Sequence, residues 1–323
     1  MELNNAAVPG FPPIVNVEVF RGRCPCRCGH CPVGVAAPSQ RRQLFGEGCI
    51  ELGLFQKIVE EIASYSTPVL RIHSTGEPLL WENFPGALKM LKENGVKSWL
   101  FTSAVTRDKA ILKSICEAVS IIEVSVNSIT VDDYLATKGV DAFDLVTENI
   151  RYMRSLVGND RSKRLIVSRV ESDQAELDEA FVRYWRASDL VDDAFVRSYH
   201  TYNDLLPETA CSPLSSPKIG PCLVHWARFN IGLTGQAVVC FNELFKTEVH
   251  PSLIVGDVNK QAIAEIWKGP TLTALRLAEL SGDYSGLSHP EVLPCKDCTH
   301  CQPLFNNSRE TSEHQLGKIG VDA

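Results

Sequence analysis

Apolar and polar residues alternate over 14–20, and this two-residue period is typical of a strand. Residues 52–65 repeat their apolar positions with the period of a helix, and a strand pattern follows at 69–73. The same succession continues with helix 84–94, strand 97–102, helix 107–119, strand 121–127, helix 142–157, strand 164–170, helix 173–187 and strand 193–199. About six β/α units of this kind predict a parallel sheet or an open barrel, with functional residues at the carboxyl ends of the strands.

The regular succession stops after Tyr202. Residues 203–221 contain four prolines and several serines, which is typical of a connecting segment. Two short strands around 231–241 follow, with helices near 259–268 and 270–280, so a second and smaller α+β unit is expected. The predicted organisation is a core over 1–202, a connector over 203–221, a second domain over 222–305 and a flexible tail over 306–323.

The overall composition narrows the class of protein. Of the 323 residues, 44% are hydrophobic and 22% are charged, as in ordinary soluble globular proteins. Lysine and arginine number 32 against 39 aspartate and glutamate residues, and the net charge of −7 disfavours nucleic acid as a partner. No apolar run approaches the ~18 residues of a membrane-spanning helix, and the first residues lack the pattern of a secretory signal. These features predict a cytoplasmic protein with no membrane partner.

The cysteines are unusual in both number and placement. The sequence contains twelve, at Cys24, Cys26, Cys28, Cys31, Cys49, Cys116, Cys211, Cys222, Cys240, Cys295, Cys298 and Cys301. Secreted disulfide scaffolds are short and space their cysteines evenly, whereas seven of these fall into two tight groups. Such grouping indicates metal binding in a reducing compartment rather than structural disulfides.

The first group follows the first predicted strand. Cys24, Cys28 and Cys31 have the spacing Cys-x3-Cys-x2-Cys, which brings three thiolates to one iron–sulfur cluster. Three protein ligands leave one iron of a 4Fe–4S cluster open to a substrate. Because Cys26 lies between them, a zinc site with four thiolates is the alternative, although zinc sites usually pair Cys-x2-Cys elements at a greater separation.

With this loop and the β/α units before residue 202, the sequence resembles the radical S-adenosylmethionine (SAM) superfamily. The resemblance implies a partial (β/α)6 barrel in which Cys24, Cys28 and Cys31 hold a 4Fe–4S cluster, while Cys26 is a spare residue. It also implies that SAM binds the open iron and that a reducing partner such as flavodoxin or ferredoxin supplies an electron. SAM is then split into methionine and a 5′-deoxyadenosyl radical, which abstracts hydrogen from the substrate.

Another segment matches the superfamily where the methionine part of SAM binds. After the second predicted strand, Gly76 and Glu77 correspond to a Gly-Gly-Glu segment that meets the methionine amino group, with Thr75 in place of the first glycine. A glycine permits close approach of the backbone, and a carboxylate suits an ammonium group. The resemblance therefore implies that Gly76 and Glu77 contact SAM.

Contacts to the rest of SAM are also implied. Ser125 and Asn127 match the polar segment near the ribose, and His30 stands where the superfamily has an aromatic residue near adenine. Arg169, on the fifth predicted strand, is a candidate partner of the methionine carboxylate, and a surface position is the alternative.

The second domain carries the other cysteine group. A pair of cysteines on loops with a later Cys-x2-Cys is common in zinc sites, so zinc is again an alternative. Behind a radical SAM core, however, the pattern resembles the SPASM/Twitch iron–sulfur domains, because a Gly-x4-Cys element starts at Gly235. The resemblance implies one auxiliary 4Fe–4S cluster, with ligands at Cys222, Cys240, Cys295 and Cys298 and a fifth candidate at Cys301.

The auxiliary cluster bears on the type of reaction. With four protein ligands it can accept an electron from a substrate radical, as a dehydrogenation requires, whereas an epimerisation needs a thiol that returns a hydrogen atom. Cys211, in the connector, is the first candidate for that hydrogen donor, and the others are Cys26, Cys49 and Cys301. Cys116 fits the apolar face of a helix and is expected to be structural.

The substrate is constrained only indirectly. Because the first strand starts near residue 14, little chain precedes it for a domain that binds a peptide leader, which favours a small metabolite of carbohydrate or aminocyclitol type. Residues expected near the substrate, each of which also suits a structural role, are Arg197, Tyr199, His200 and Glu243. Maturation of a peptide or protein side chain is the alternative enzymatic function. A non-catalytic zinc or iron–sulfur scaffold is the alternative from another class.

Overall fold

A computed structural model describes residues 8–66, 68–207, 221–296 and 298. Within these ranges the strands form one sheet, in the order β10-β9-β8-β1-β3-β4-β5-β6-β7, with β2 paired to β1. In chain order the strands are β1 (Ile14–Arg21), β2 (Gly48–Cys49), β3 (Val69–Thr75), β4 (Ser98–Thr102), β5 (Ile121–Ser125), β6 (Arg164–Val170), β7 (Asp193–Arg197), β8 (Arg228–Ile231), β9 (Gln236–Val238) and β10 (Ile254–Asp257).

Helices connect most of the strands. In chain order they are α1 (Pro32–Val35), α2 (Pro38–Phe45), α3 (Leu52–Ala63), α4 (Phe84–Glu93), α5 (Lys109–Ala118), α6 (Val131–Lys138), α7 (Phe143–Val157), α8 (Ala175–Arg186), α9 (Leu223–Ala227), α10 (Ile263–Trp267) and α11 (Pro270–Ser281). Short 3-10 helices lie at Pro78–Leu80, Phe241–Phe245, Pro251–Leu253, Pro290–Val292 and Pro294–Lys296. The longer helices are amphipathic and bury one apolar face, as α3 does with Phe55, Ile58, Val59 and Ile62.

Six strands, β1 and β3 to β7, are parallel to one another and form the partial (β/α)6 barrel. This confirms the fold class predicted from the sequence. The six core strands and the five longer core helices lie where the sequence predicts them, with ends that differ by a few residues. The short elements α1, α2, α6, α9, β2 and β10 were not predicted, because each has too few residues to display a clear period.

The two faces of the barrel sheet differ in character because successive residues of a strand point in opposite directions. On the inner face, each core strand contributes one residue to an apolar layer near the amino ends, which consists of Ile14, Val69, Trp99, Ile121, Ile166 and Phe195. Two residues further along three of these strands, the same face carries Arg71, Glu123 and Arg197. The barrel is therefore closed by apolar packing at one end and lined by charged groups toward the other.

The second unit extends the core sheet. Strand β8 pairs with β1 in parallel, and the Asn16 side-chain amide donates to Asn230 across this pair at 2.7 Å. At the end of β1, the Arg21 guanidinium donates to the carbonyls of Leu244 at 2.6 Å and Lys246 at 2.8 Å. The residues after 221 are thus joined to the barrel by a ladder and by side-chain bonds. The domain boundaries stay predictions, and the tail lies outside the described residues.

Candidate functional site

The first cysteine loop leaves the carboxyl end of β1 and runs into α1. Its backbone is tied to the segment after β3, because the Gly22 amide donates to the Thr75 carbonyl at 2.8 Å and the Glu77 amide donates to the Arg23 carbonyl at 2.9 Å. A Cβ atom at Gly76 would lie 2.5 Å from the Arg23 carbonyl oxygen. This contact requires glycine at position 76, so two segments that the sequence assigns to the cluster and to SAM lie against each other.

The thiol groups of this loop lie close together. Hydrogen bonding to the Cys24 thiol, together with burial, raises the pKa of Cys26 to about 12. The Cys28 thiol contacts Cys26 and the partly exposed His30. Burial raises the pKa of Cys31, whose sulfur also faces backbone amides at the start of α1. Clustered sulfurs with amide groups directed at them suit the thiolate ligands of an iron–sulfur cluster.

Arg41 of α2 supports this loop. Its guanidinium is 5% exposed and donates to the carbonyl oxygens of Cys24 at 3.0 Å, Cys26 at 3.2 Å and Ala36 at 3.3 Å. These bonds fix the backbone at Cys24 and Cys26 and just after α1. Arg41 was not predicted as a site residue, since an arginine in a short polar helix has no local feature that separates it from a surface residue.

A buried cation faces the same thiols. Lys138, at the end of α6, is 2% exposed, and its ammonium donates to the Ser125 hydroxyl at 3.2 Å. Burial alone would lower the pKa of this ammonium, but the neighbouring thiols, first that of Cys28, raise it above its ordinary value. The Arg27 amide donates to the Lys138 carbonyl at 2.7 Å, so α6 and the cysteine loop are joined directly. Lys138 was also missed, because α6 was not predicted.

The segment predicted to lie near the ribose of SAM is held in one conformation. The Asn127 side-chain amide donates to the Ser125 hydroxyl at 3.0 Å, and its oxygen accepts from the Val170 amide at 2.7 Å. The backbone of Asn127 has a φ of 64°, in the left-handed region that asparagine tolerates better than most residues. Ser125 and Asn127 therefore adjoin Lys138 at the carboxyl end of β5.

Arg169 is buried at 4% exposure, so the alternative of a surface arginine is wrong. Its guanidinium pairs with Asp178 at 2.7 Å and Asp133 at 3.1 Å, and donates to the Asn127 carbonyl. The two carboxylates balance its charge, and the third bond supports the left-handed turn at Asn127. The contact between Arg169 and the methionine carboxylate stays a prediction.

Glu77 braces the loops at the ends of β3 and β4. Its buried carboxylate accepts from the Thr102 hydroxyl at 2.7 Å, from the Ser103 amide at 2.8 Å and from the Ser103 hydroxyl at 2.5 Å. A longer bond from the Leu79 amide, at 3.4 Å, completes the set. A carboxylate has about four acceptor positions, so these donors occupy it. The expected contact of Glu77 with a methionine ammonium stays a prediction.

The second cysteine group is also brought together. Cys222 precedes α9, Cys240 follows the hairpin of β8 and β9, and the last segment supplies Cys295 and Cys298. Burial raises the pKa of the Cys240 thiol well above its ordinary value, and the sulfurs of the other three, first that of Cys295, add to the shift. Four of the five predicted ligands therefore share one site, while Cys301 lies outside the described residues.

The spacing of the donors bears on the zinc alternative. In the part of the chain that the structure describes, no three histidine, cysteine or carboxylate groups are placed to hold a single metal ion. Within the same ranges the cysteines form no disulfide. The preference for an iron–sulfur cluster over zinc stays a prediction at both groups.

The residues predicted near the substrate have different environments. Arg197 donates to both carboxylate oxygens of Glu123, at 2.8 and 2.7 Å, on the inner face of the barrel. The Tyr199 hydroxyl donates to the Pro207 carbonyl at 2.9 Å. His200 accepts from the backbone amide two residues later at 2.8 Å. Of these three, Arg197 is the one whose charged group lines the barrel.

Glu243, the fourth such residue, links the core to the second unit. Its carboxylate accepts from the Asn203 amide at 3.2 Å and pairs with the Lys246 ammonium at 2.7 Å. Asn203 also accepts from the Asn242 side chain at 3.1 Å. These bonds give Glu243 a structural role where the barrel meets the segment after Cys240.

His73 lies on the inner face of the barrel and was not predicted as a site residue. Its ring centroid lies 6.3 Å from that of Phe241 and 5.9 Å from that of Phe245, both in the segment after β9. Burial lowers the pKa of His73 to about 3, and the positive charges of Arg71 and Arg21 add to the shift. Its Nε2 atom has no hydrogen-bond partner among the described residues. A neutral imidazole thus lies between the barrel and the second cysteine group.

The remaining cysteines are separate from both groups. Cys116 is buried on α5, and its thiol donates to the Met153 carbonyl at 3.8 Å, as expected for a structural residue. Cys49 is exposed on β2, next to the end of β1. Cys211, the first candidate hydrogen donor, lies outside the described residues.

Comparisons with known proteins agree with this architecture. Residues 222–301 match the SPASM family, an iron-sulfur cluster-binding domain. Streptococcus suis SuiB bound to precursor peptide SuiA is similar in fold, with a TM-score of 0.60 and 12% identity over 83% of this chain and 67% of that chain. BtrN in complex with AdoMet and 2-DOIA has a TM-score of 0.50 and 15% identity over 90% of this chain and 93% of BtrN. No curated protein matches the chain by sequence.

A third structure, anSMEcpe with bound AdoMet, has a TM-score of 0.55 and 11% identity over 88% of this chain and 86% of that chain. At such identities the likeness establishes the fold. In the described ranges every helix is too short or too polar to traverse a bilayer. The chain therefore shares the fold of these three structures, and its residues 222–301 match the SPASM iron-sulfur cluster-binding domain.

Proposed function

We propose that this protein is a radical SAM enzyme that dehydrogenates a small polar metabolite of carbohydrate or aminocyclitol type. The observation that carries the proposal is the placement of two cysteine groups on one continuous sheet, the first after β1 and the second on segments joined through β8 and β9. The first group suits a cluster with one open iron, and the second suits a fully ligated cluster. Hydrogen abstraction requires the cluster with an open iron, and removal of an electron from the substrate requires the fully ligated cluster.

In this proposal Cys24, Cys28 and Cys31 hold a 4Fe–4S cluster. Once reduced by a partner such as flavodoxin or ferredoxin, a cluster held there would supply the electron for reductive cleavage of SAM and so the means to abstract hydrogen from the substrate. The buried Lys138 ammonium offsets part of the negative charge of the thiolates. A cation at this position also favours an anionic group on the ligand that completes the cluster.

The proposed contacts to SAM come from residues around the cysteine loop, namely His30, Gly76, Glu77, Ser125, Asn127 and Arg169. Gly76 admits the close approach of two backbones, and Ser125 is held between Asn127 and Lys138. Glu77 and Arg169 also brace these segments, through the bonds that their charged groups make within the protein.

Oxidation of an alcohol to a carbonyl group fits the second cysteine group. The substrate loses one hydrogen atom from carbon, one proton from oxygen and one electron from the radical that remains. The electron requires an acceptor, and a cluster bound by Cys222, Cys240, Cys295 and Cys298 provides one. Full ligation by protein suits electron transfer rather than substrate binding.

Epimerisation is the competing outcome, because it returns a hydrogen atom from a thiol. Among the described candidates for that donor, Cys26 is buried among the thiols of its own loop, and Cys49 is exposed on β2. Cys211 and Cys301 lie outside the described residues. What supports oxidation is the electron acceptor that the four neighbouring auxiliary thiols would bind.

The interior of the barrel favours a small polar substrate. Arg71, Glu123 and Arg197 line the inner face beyond the apolar layer and offer charge-assisted hydrogen bonds. BtrN, which matches this chain over 93% of its own length, holds 2-DOIA with AdoMet. A peptide is the alternative substrate, because SuiB and anSMEcpe were solved with SuiA and with the Cp18Cys peptide. We place the reaction in the cytoplasm, where thiols stay reduced.

Anaerobic reconstitution of the full chain tests the proposal. We expect about eight irons per chain for two 4Fe–4S clusters and reductive cleavage of SAM to 5′-deoxyadenosine. Cys24→Ala should abolish that cleavage, whereas Cys240→Ala should retain it and lose conversion of the substrate to its oxidised product. Bound zinc without cleavage would instead support a scaffold.

Product analysis in deuterated water separates the two reactions. An epimerisation places solvent deuterium on the carbon that lost hydrogen, whereas an oxidation yields a product that is two mass units lighter than the substrate and carries no solvent deuterium at that carbon. Candidate substrates are small aminocyclitols and sugars on one hand and short peptides on the other. Turnover of peptides alone would overturn the proposed substrate class.

A further inference from the structure

The segment around the first cysteine group is basic, although the chain as a whole is acidic. Residues 19–46 contain five arginines and no aspartate or glutamate, whereas the net charge of the protein is −7. Two of the five are enclosed, because Arg21 pairs with Glu18 and Arg41 binds carbonyls of the cysteine loop. The side chains of the other three are exposed, and these are Arg23, Arg27 and Arg42.

Alternate residues of the cysteine loop face solvent. Pro25, Arg27 and Gly29 are exposed, whereas Cys26 and Cys28 between them are buried. The loop thus carries its thiols on one side and the Arg27 side chain on the other. A protein that contacts the outer side is separated from the expected first cluster only by the thickness of this loop.

Arg23 and Arg42 lie next to each other on the same surface. Their side chains are 61% and 84% exposed, and both approach the carboxylate of Glu47, at 3.8 and 3.5 Å. Arg27 is four residues after Arg23, which limits the distance between their Cα atoms to about 14 Å. With one carboxylate beside three guanidinium groups, positive charge is in excess. We call the surface formed by these three arginines the arginine face.

Helix α2 extends this surface. Of its eight residues, Arg41 and Phe45 are buried, so the helix contacts the core along one edge. Arg42 and Leu44 are two residues apart and therefore project in directions that differ by about 200°. They lie on opposite flanks of the buried edge, and Leu44 is 51% exposed. A helix with one charged and one apolar flank in solvent suits contact with another protein.

We infer that the arginine face docks an acidic protein that carries one electron, and that this contact delivers the electron to the first cluster. The inference rests on the proposed first cluster. Opposite charges steer such a partner to this face and fix its orientation. Complexes between electron-transfer proteins bury little surface, so one loop and one short helix are sufficient. The carrier is oxidised by one electron, and the cluster behind the loop is reduced by one.

A second copy of this chain is the competing occupant, because its net charge is also negative. The position of the face favours the electron carrier. A carrier must bring its redox group close to the cluster, and the arginine face lies on the outer side of the loop that would hold it. Self-association has no such requirement. The two occupants also differ in the oligomeric state that they predict for the chain alone.

The test uses the reconstituted full chain, with reduced flavodoxin of net negative charge as the acidic carrier. Arg27→Glu and Arg42→Glu each reverse one charge of the arginine face. Arg183→Glu is the matched control, since Arg183 is also an exposed helical arginine beside a glutamate, Glu179, at 3.4 Å. Calorimetry gives the Kd of flavodoxin for each chain at low and at high salt. Cleavage of SAM is measured with flavodoxin and, separately, with dithionite, which does not need to dock.

We expect each charge reversal on the arginine face to raise the Kd about fivefold, since it removes an attraction and adds a repulsion. High salt should weaken binding to the parent chain, because exposed charges are screened. At limiting flavodoxin both variants should cleave SAM more slowly than the parent, and with dithionite they should match it. The Arg183→Glu control should match the parent in every measurement.

Unchanged Kd values in both face variants would overturn the inference, as would the absence of flavodoxin binding to the parent chain. Self-association of the parent that both reversals abolish would overturn it in favour of a second copy. If Arg27→Glu loses iron, the Kd of Arg42→Glu decides between these outcomes. Absence of SAM cleavage by the parent with dithionite would instead overturn the proposed function.

Discussion

The Lys138 ammonium nitrogen lies 3.2 Å from the Ser125 hydroxyl oxygen, inside the group of thiols that Cys26 and Cys28 belong to. The same hydroxyl accepts from the Asn127 side chain at 3.0 Å. The lysine thus connects the cysteine loop with the segment assigned to the ribose. A buried ammonium at this position is stabilised by negative charge, which thiolates and a bound carboxylate would supply.

Replacing this lysine should weaken SAM binding. Lys138→Met keeps the length of the side chain and removes the charge, and we expect SAM affinity to fall at least about tenfold, since a hydrogen bond to a charged group is worth about 1.5–3 kcal/mol. Binding is measured by the change that SAM causes in the spectrum of the reduced cluster. Lys89→Met, on the exposed face of α4, is the control and should bind normally. Equal affinities would show that Lys138 has no role in binding.

Gly76→Ala should disrupt the contact between the cysteine loop and the segment after β3. The new methyl group would meet the Arg23 carbonyl oxygen at 2.5 Å, and forced packing of this kind costs about 1–3 kcal/mol. We expect a lower free energy of unfolding and at least about tenfold slower SAM cleavage. Gly53→Ala is the control, because its nearest neighbour would be a side-chain atom at 3.9 Å in a helix that favours alanine. If both variants behave alike, the close approach at Gly76 is unimportant.

Arg41→Met should impair assembly of the first cluster. It removes the donors to the carbonyls of Cys24 and Cys26, and we expect the first site to lose iron while the second keeps it. The neighbouring Arg42 is 84% exposed in its side chain and pairs with Glu47 at 3.5 Å, so Arg42→Met should change stability by less than about 1 kcal/mol. The iron content and the midpoint temperature of thermal unfolding, measured for each variant, test this expectation. Normal iron in Arg41→Met would contradict this role.

His73 should make the protein less stable in acid. The pKa of its imidazole is about 3 in the folded protein against 6.5 in the unfolded chain, so the unfolded state gains a proton first as the pH falls. Its contribution to stability is complete above pH 6.5 and declines toward pH 3, by at most about 1.4 kcal/mol per pH unit. His73→Leu removes this dependence. Urea denaturation at several pH values gives the unfolding free energy of each protein. The value for the variant minus that for the wild type should increase as the pH falls. A difference that is the same at every pH would refute this role of His73.

The strands and long helices were predictable because each carries its own period. Strand β1 alternates inner and outer residues, and α3 repeats Phe55, Ile58, Val59 and Ile62 on one face. Helix α6 was not predictable in this way, because its buried residues are only Tyr134 and Lys138. It lacks an apolar stripe.

The grouping of the cysteines was predictable for a different reason, since spacing along one loop limits how far apart the sulfurs can lie. The contacts of Arg41 and Lys138 were not predictable, because they are made only by the fold. Their partners are backbone carbonyls and a hydroxyl on separate elements. The pairing of β8 with β1 could not be predicted from local sequence either, since Asn16 and Asn230 are 214 positions apart.

That pairing has a consequence for how the molecule can be divided. Ending the chain before residue 222 would strip β1, a strand at the middle of the sheet, of its neighbour on one side and expose a row of unbonded peptide groups. It would also leave Arg21 without the carbonyls of Leu244 and Lys246. The two cysteine-containing regions are thus not independent modules. Replacing one of them with the corresponding region of another protein would require a new pairing for β1 and new partners for Arg21.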